Sequence, residues 1–345
     1  MQEFLAFSAF FSYHGIMNIV YKVHVYMHTN RVAGRRKMEI RIEKTAYAKV
    51  NLGLDIVGRR EDGYHLVRMI MQSVGIADRL TFERKEAPGV ELLVSEASTL
   101  PDLQDMPTDD RNLIVRAARM VMEKYGVTEG IRITLEKHIP MAAGMAGGST
   151  DCAAALKGTA ELFQTGATPE ELAELGVRLG ADVPYCLMGG TALSEGIGEV
   201  LTPLPMLPDC RFLVVKPSFG VSTKEVYTAY DSLAEREAAG SGEGIPHPDI
   251  DGMVRALEEQ SLEGILSRLG NVLEYVTVEN HPEIRRIEEL VREAGAAEAI
   301  MTGSGPTVFG ILPGADGPEP DLEAMKTKLA KEGITAEVYV AGRGA

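Results

Sequence analysis

The chain is poor in cysteine. Cys152, Cys186 and Cys210 are its three thiols. Their spacing matches no metal-ligand pattern, and each sits in an apolar or helical context. They read as reduced core thiols of a cytoplasmic protein, without a disulfide framework. Basic residues are scarce beside acids, 35 against 50, for a formal net charge of −15. With no basic cluster in the body of the chain, a nucleic-acid partner is not expected. Long apolar runs are missing as well. A membrane anchor needs roughly 18 or more apolar residues in a row. The richest stretch, around Phe4, Phe7, Phe10 and Phe11, is broken by Ser8, Ser12, His14, Gly15 and Asn18. The start also lacks the basic head and small-residue cleavage site of a secretory leader. The phosphate loop G-x-x-x-x-G-K-[ST] occurs nowhere. No internal repeat or low-complexity tract is visible.

What remains is an ordinary globular balance, 45% hydrophobic and 25% charged over 345 residues, long enough for two domains. The first 37 residues stand apart, with one acid, Glu3, against the bases Lys22, Arg31, Arg35, Arg36 and Lys37. Met38 is the expected start, and residues 1–37 a non-native or disordered extension; an interfacial anchor is the alternative. From Met38 alternation predicts strands, with a second run over residues 47–57 and further ones over 65–74 and 79–83. Helical periodicity covers 112–125, and Gly126 supplies its stop. Thr168-Pro-Glu-Glu171 is a capping box with proline at the first helical position. Pro203, Pro205 and Pro208 punctuate the chain before a buried strand over 212–215, which places a domain boundary near residue 207. Helices are expected over 253–269, 282–293 and 322–331, and strands over 299–302, 307–312 and 335–340. This mixture, without a regular βαβ repeat, predicts an α+β protein of two domains, 38–207 and 208–345.

The most informative stretch follows a strand over 131–136. Its small residues, Pro140, Met141, Ala142, Ala143, Gly144, Met145, Ala146, Gly147, Gly148, Ser149 and Thr150, lead into an alanine-rich helix. Glycines let backbone approach a ligand, and a helix start offers orphan N–H groups and the positive end of a dipole. A nucleotide phosphate is the simplest ligand; a tight turn without one is the alternative.

Four other segments accompany this loop: Ala48-Lys-Val-Asn-Leu-Gly-Leu54, Arg60-Glu-Asp-Gly-Tyr-His65, Leu179-Gly-Ala-Asp-Val-Pro-Tyr185 and Met301-Thr-Gly-Ser-Gly-Pro-Thr-Val-Phe309. In order and spacing the set resembles the GHMP kinase superfamily, from about Met38 to Val340. Within it, the first two segments resemble the members that phosphorylate a cytidine diphosphate-linked methylerythritol in non-mevalonate isoprenoid synthesis. The resemblance implies a two-domain α+β kinase with ATP, Mg²⁺ and the small-molecule substrate meeting in an interdomain cleft. It implies that residues 140–150 hold the ATP phosphates, that Asn112 lies near the adenosine, and that Lys49 and Asp182 form the catalytic pair. It places Asn51 at the methylerythritol end, and Tyr64, His65 and Tyr227 around the cytidine. Met71 stands where some relatives carry an aromatic beside the substrate. A kinase for homoserine or mevalonate, or a silent ligand-binding member, is the alternative.

The chemistry suits those roles. An ionised Asp182 only accepts, as a base for an alcohol proton must. Lys49 lies in an apolar strand pattern, where an unpaired ammonium is costly, so a partner is expected. Each residue also has a plainer reading. Asp182 precedes Val183 and Pro184 at a helix start and reads equally as its N-cap. Asn112 reads as a cap too, and His65 and Tyr227 as packing residues.

Overall fold

The structure is a computed structural model that describes residues 26–32, 35–100, 103–238 and 244–344. The expected extension, residues 1–37, falls mostly outside them; the backbone of residues 26–32 and 35–37 is strand. In chain order the first elements are β1 (Tyr26–Val32), β2 (Arg35–Arg59), β3 (His65–Lys85), β4 (Gly89–Val94), α1 (Leu113–Lys124), β5 (Gly130–Glu136), α2 (Gly147–Leu162), α3 (Pro169–Val177) and α4 (Val183–Met188). Then come β6 (Thr191–Glu195), β7 (Val200–Leu204), β8 (Cys210–Pro217), α5 (Thr223–Ala238), α6 (Ile250–Glu258), α7 (Leu262–Leu266), β9 (Gly270–Asn271) and α8 (Val272–Asn280). The chain closes with α9 (Glu283–Glu293), β10 (Glu298–Met301), β11 (Val308–Pro313), α10 (Leu322–Lys331) and β12 (Ala336–Ala341). Helices and strands mix as an α+β protein should.

Contacts divide the chain into two compact units. The first holds the described residues up to Ala46, with Asp78–His138 and Asp151–Leu179. In it the end of β3 pairs antiparallel with β5, Leu80 opposite Leu135, and β5 pairs parallel with β4. The α3 capping box forms as expected: Thr168 Oγ1 accepts from Glu171 N–H at 3.2 Å, and Glu171 Oε2 accepts from Thr168 N–H at 2.9 Å. Gly158 on α2 faces the fully buried Phe82 of β3. A Cβ at Gly158 would lie 2.4 Å from that ring. Alanine is the better helix former by about 1 kcal/mol, yet overpacking typically costs about 1–3 kcal/mol. Gly158→Ala is therefore expected to destabilise the protein, read as a lower urea midpoint; a rise would mean that the Phe82 ring yields freely.

The second unit holds Tyr47–Ala77, Ile139–Thr150 and Gly180–Ala345. There β3 pairs with β6, Met69 opposite Ser194, and β2 pairs parallel with β9, Gly53 opposite Gly270. Its other sheet is antiparallel in the order β10-β11-β8-β12. Every residue of β8 is buried, because apolar side chains cover both sheet faces. On one, Leu213, Val215 and Val338 pack with Ile287, Val291 and Leu329 of α9 and α10. On the other, Phe212, Val214, Phe309 and Ile311 join Met253 and Leu257 of α6 and Ala48, Val50 and Leu52 of β2. A strand turns successive side chains to opposite faces. With Ala48, Val50 and Leu52 in the core, Lys49 and Asn51 share the other face.

Three features differ from the sequence expectations. The strand runs from Met38 merge into the single long strands β2 and β3, whose polar residues lie along continuous pairing. The helix expected over 253–269 is two helices, because Gln260 adopts a left-handed φ of 55° and Ser261 caps α7 through Gly264 N–H. Helices α5 and α8 were not anticipated as units. Among the described residues no helix is long and apolar enough to cross a membrane.

Candidate active site

All the candidate side chains except Asn112 belong to the second unit. The loop before α2 has left-handed φ at every second residue: Ala142 at 49°, Gly144 at 70° and Ala146 at 56°. Such alternation turns successive N–H groups inward as an anion-binding nest. For an alanine the conformation costs about 1–2 kcal/mol, and it persists where the surroundings over-determine it. Here they do. A Cβ on Gly144 would lie 2.6 Å from the Thr302 carbonyl oxygen, so the loop lies directly on the 302–305 turn. Lys49 N–H donates to Met145 O at 3.1 Å, and Thr150 Oγ1 donates to Tyr47 O at 2.8 Å. Both bonds tie the loop to β2. The N–H groups of Gly147, Gly148 and Ser149 open the first turn of α2, where a helix has no internal acceptors for them.

The opposing turn is held by Asn271, which the sequence reading missed. Its Nδ2 donates to Met301 O at 2.9 Å and Gly303 O at 2.8 Å. Its Oδ1 accepts from Leu273 N–H at 3.0 Å, capping α8. An asparagine directly before the apolar run at Val272 was the available signal.

Beside the loop, the buried Lys49 Nζ donates to Asn51 Oδ1 at 2.7 Å. The partner expected for this ammonium is thus a neutral carboxamide. Among the described residues no carboxylate lies within 4.0 Å of it. Asn51 is fully buried; its N–H donates to Thr302 Oγ1 at 2.9 Å and its Nδ2 faces Met69 Sδ at 3.5 Å. Asp182 occupies the N-cap position of α4, but with φ −79° and ψ −14° its side chain makes no cap hydrogen bond. The carboxylate is half-buried, and among the described residues it has no hydrogen-bond or ion-pair partner. The N-cap reading is not what the geometry displays.

Tyr64 is exposed at the rim of the β2–β3 turn, where Arg60 N–H donates to Tyr64 O at 2.7 Å. His65 begins β3, and its ring centroid lies 4.8 Å from that of Tyr227 on α5, tilted by 42°. Burial pushes the Tyr227 hydroxyl up to about 12, with a further push from the Asp182 charge. Tyr227 therefore stays protonated and within the field of Asp182. Met71 is fully buried in an apolar cluster with Met69, Tyr185 and Tyr230. It is a core residue of this unit.

The first unit holds Asn112 and, next to the loop, Asp151, which was not among the candidates. Asn112 caps α1, its Oδ1 accepting from Ile114 N–H at 2.9 Å and its Nδ2 donating to Pro107 O at 2.8 Å. Asp151, one residue past the loop, accepts from Lys137 Nζ at 2.8 Å, and Lys137 also pairs with Asp78. Burial holds the Asp151 carboxyl well above the usual carboxylate range. All three cysteines are free, and burial pushes Cys152 up to about 12 and Cys210 to about 11. Among the described residues no group of three or more His, Cys, Asp or Glu side chains is placed to hold a metal ion.

Comparison with known proteins follows the same lines. Residues 112–190 match the GHMP kinases N terminal domain, and residues 253–333 match the GHMP kinases C terminal family. A 4-diphosphocytidyl-2-C-methyl-D-erythritol kinase of Lachnoclostridium phytofermentans is 49% identical over 271 residues, covering 79% of this chain and 88% of that protein. One of the same name from Geobacillus kaustophilus is 43% identical, covering 79% and 89%. The crystal structure of a 4-(cytidine 5'-diphospho)-2C-methyl-D-erythritol kinase superposes with a TM-score of 0.68 at 31% identity, covering 88% of this chain and 99% of that one. A homoserine kinase from Cytophaga hutchinsonii shares the fold, with a TM-score of 0.66 at 19% identity, covering 88% and 95%.

Proposed function

The chain belongs to the GHMP kinase family, and from that premise we infer that it transfers the γ-phosphoryl group of ATP to the 2-hydroxyl of 4-diphosphocytidyl-2-C-methyl-D-erythritol. The observation that carries this reading is the nest of alternating left-handed residues ahead of α2, in the same unit as an Asp182 carboxylate without a partner among the described residues and an anchored Lys49. Phosphoryl transfer asks of a protein mainly positioning and electrostatic stabilisation. Residues 140–150 would hold the triphosphate through backbone N–H groups, with Asn112 toward the adenosine. Mg²⁺ would enter with the nucleotide, its ligands drawn mostly from phosphate oxygens and water.

The acceptor alcohol gives its proton to Asp182 as its oxygen bonds to the γ-phosphorus and the bond to the ADP oxygen breaks. Lys49 and the loop N–H groups stabilise the charge spread over the transferring oxygens. Asn51 sits at the methylerythritol end and sets the direction of the Lys49 ammonium. Tyr64, His65 and Tyr227 form the cytidine pocket, with aromatic faces for the ring and polar edges for its hydrogen bonds. In terms of family domains, residues 38–207 form the N-terminal and 208–345 the C-terminal part, with catalysis in the cytoplasm, where free thiols stay reduced.

A coupled ADP-release assay tests the reading. It compares the cytidyl substrate with mevalonate, homoserine and galactose, with and without Mg²⁺. Mg²⁺-dependent turnover confined to the cytidyl substrate is expected. Turnover on another alcohol keeps the mechanism and overturns the substrate. ATP binding with no turnover on any would make the chain a ligand-binding member.

A further inference from the structure

Asp231 lies on α5 four residues beyond Tyr227, so both side chains leave the same helix face. Its Oδ1 lies 2.6 Å from His65 Nε2, and its Oδ2 lies 3.0 Å from an Arg59 guanidinium nitrogen. Arg59 is itself fixed, its Nε donating to Gly63 O at 3.2 Å. An ionised carboxylate accepts and cannot donate, so the hydrogen in the His65 contact belongs to Nε2. A guanidinium never gives up its proton in this range. Arg59 takes the far oxygen of Asp231 and leaves the near one to His65 Nε2. A neutral imidazole with its hydrogen on Nε2 presents a lone pair at Nδ1. Among the described residues Nδ1 makes no hydrogen bond, and the Tyr227 ring packs against the imidazole with centroids 4.8 Å apart.

We propose that Asp231 is a positioning residue that sets base specificity: the Arg59–Asp231–His65 chain fixes His65 with Nδ1 as an acceptor, which selects a 4-aminopyrimidine over a 4-oxopyrimidine. The exocyclic amine of cytosine donates to such an acceptor. The O4 of uracil faces it lone pair to lone pair, and a polar group left unpaired on binding is costly. The inference rests on the reading of His65 and Tyr227 as the cytidine pocket.

The test separates the two. Nitrogen-15 spectra of the full chain, with His65 assigned by comparison with His65→Gln, read the tautomer without any nucleotide. The expected wild-type signal is a hydrogen on Nε2. Asp231→Asn offers a donor to Nε2 and is expected to move the hydrogen to Nδ1; Asp231→Glu is expected to keep it on Nε2. Calorimetry with CDP and UDP then reads the consequence. Wild type should prefer CDP by roughly 10- to 100-fold, the scale of one hydrogen bond exchanged for an unpaired acceptor. Asp231→Asn should lose that preference, and Asp231→Glu should restore part of it. A hydrogen on Nδ1 in the wild type would overturn the proposal without touching the kinase reading. So would an Asp231→Asn chain that still prefers CDP. The expected tautomer in a wild type that binds neither nucleotide would overturn the pocket, and the specificity claim with it.

Discussion

Asp182→Asn is expected to fold as the wild type does and to lose turnover by about 10²–10⁴-fold, the usual worth of a positioned general base. The fold should survive because the Asp182 side chain does no structural work that asparagine would undo. It stands at the start of α4 without making the cap bond, and among the described residues it pairs with no cation. The loss should fall on kcat, with the KM for ATP nearly unchanged, because the carboxylate acts on the acceptor alcohol. An interaction made only in the transition state has that signature. ADP release gives kcat and KM, and a urea melt gives the fold. Near-normal turnover would end the base assignment. Lost turnover together with a much lower unfolding midpoint would return Asp182 to a structural role.

What the sequence shows of this region is local. Alternation along β2 separates Ala48, Val50 and Leu52 from Lys49 and Asn51, and a two-residue period is visible in a single strand. The glycines of the loop and the Thr168 capping box act within a few positions of themselves. Other features depend on partners far along the chain. Asn271 holds the Gly303 turn 32 residues away, and Asp231 reaches His65 across 166. The cap of α8 marks Asn271 locally, but neither long-range contact has a sequence signature until the fold supplies the neighbour. Gln260 shows a different limit. It takes a left-handed φ that glutamine rarely adopts, so periodicity ran α6 and α7 together through it. Asn112 suits both a cap and a neighbour of the adenosine, and its side chain is engaged as the cap.

Asp151 sits at the end of the most recognisable motif, yet its contacts are structural, and they lead to the second large effect. Lys137→Met is expected to destabilise the protein by about 3–5 kcal/mol near neutral pH, the scale for removing one partner of a buried ion pair. Lys137, Asp78 and Asp151 have side-chain exposures of 4%, 0% and 5%, so water cannot replace the ammonium. Burial alone would lower Lys137; the charges of Asp151 and Asp78 outweigh it, and the net direction is upward. Its contribution is therefore fully present below the ordinary lysine value and lost only as pH rises through the raised one. Asp151 is also raised, by burial first, against the pull of Lys137. For a raised carboxyl the native state holds its proton more tightly, so stability falls as pH rises from the ordinary aspartate range through the raised value. Without Lys137 the Asp151 carboxyl moves further up, and the variant weakens more steeply over that window. The gap between wild type and Lys137→Met should thus be small near pH 4 and widest near pH 8, read by urea unfolding at each pH. Adding Asp151→Asn to the variant should recover part of the loss at pH 8, since it removes one of the two buried carboxylates that lose the ammonium. A gap that does not change with pH, and no recovery in the double variant, would mean that Lys137 contributes packing rather than charge.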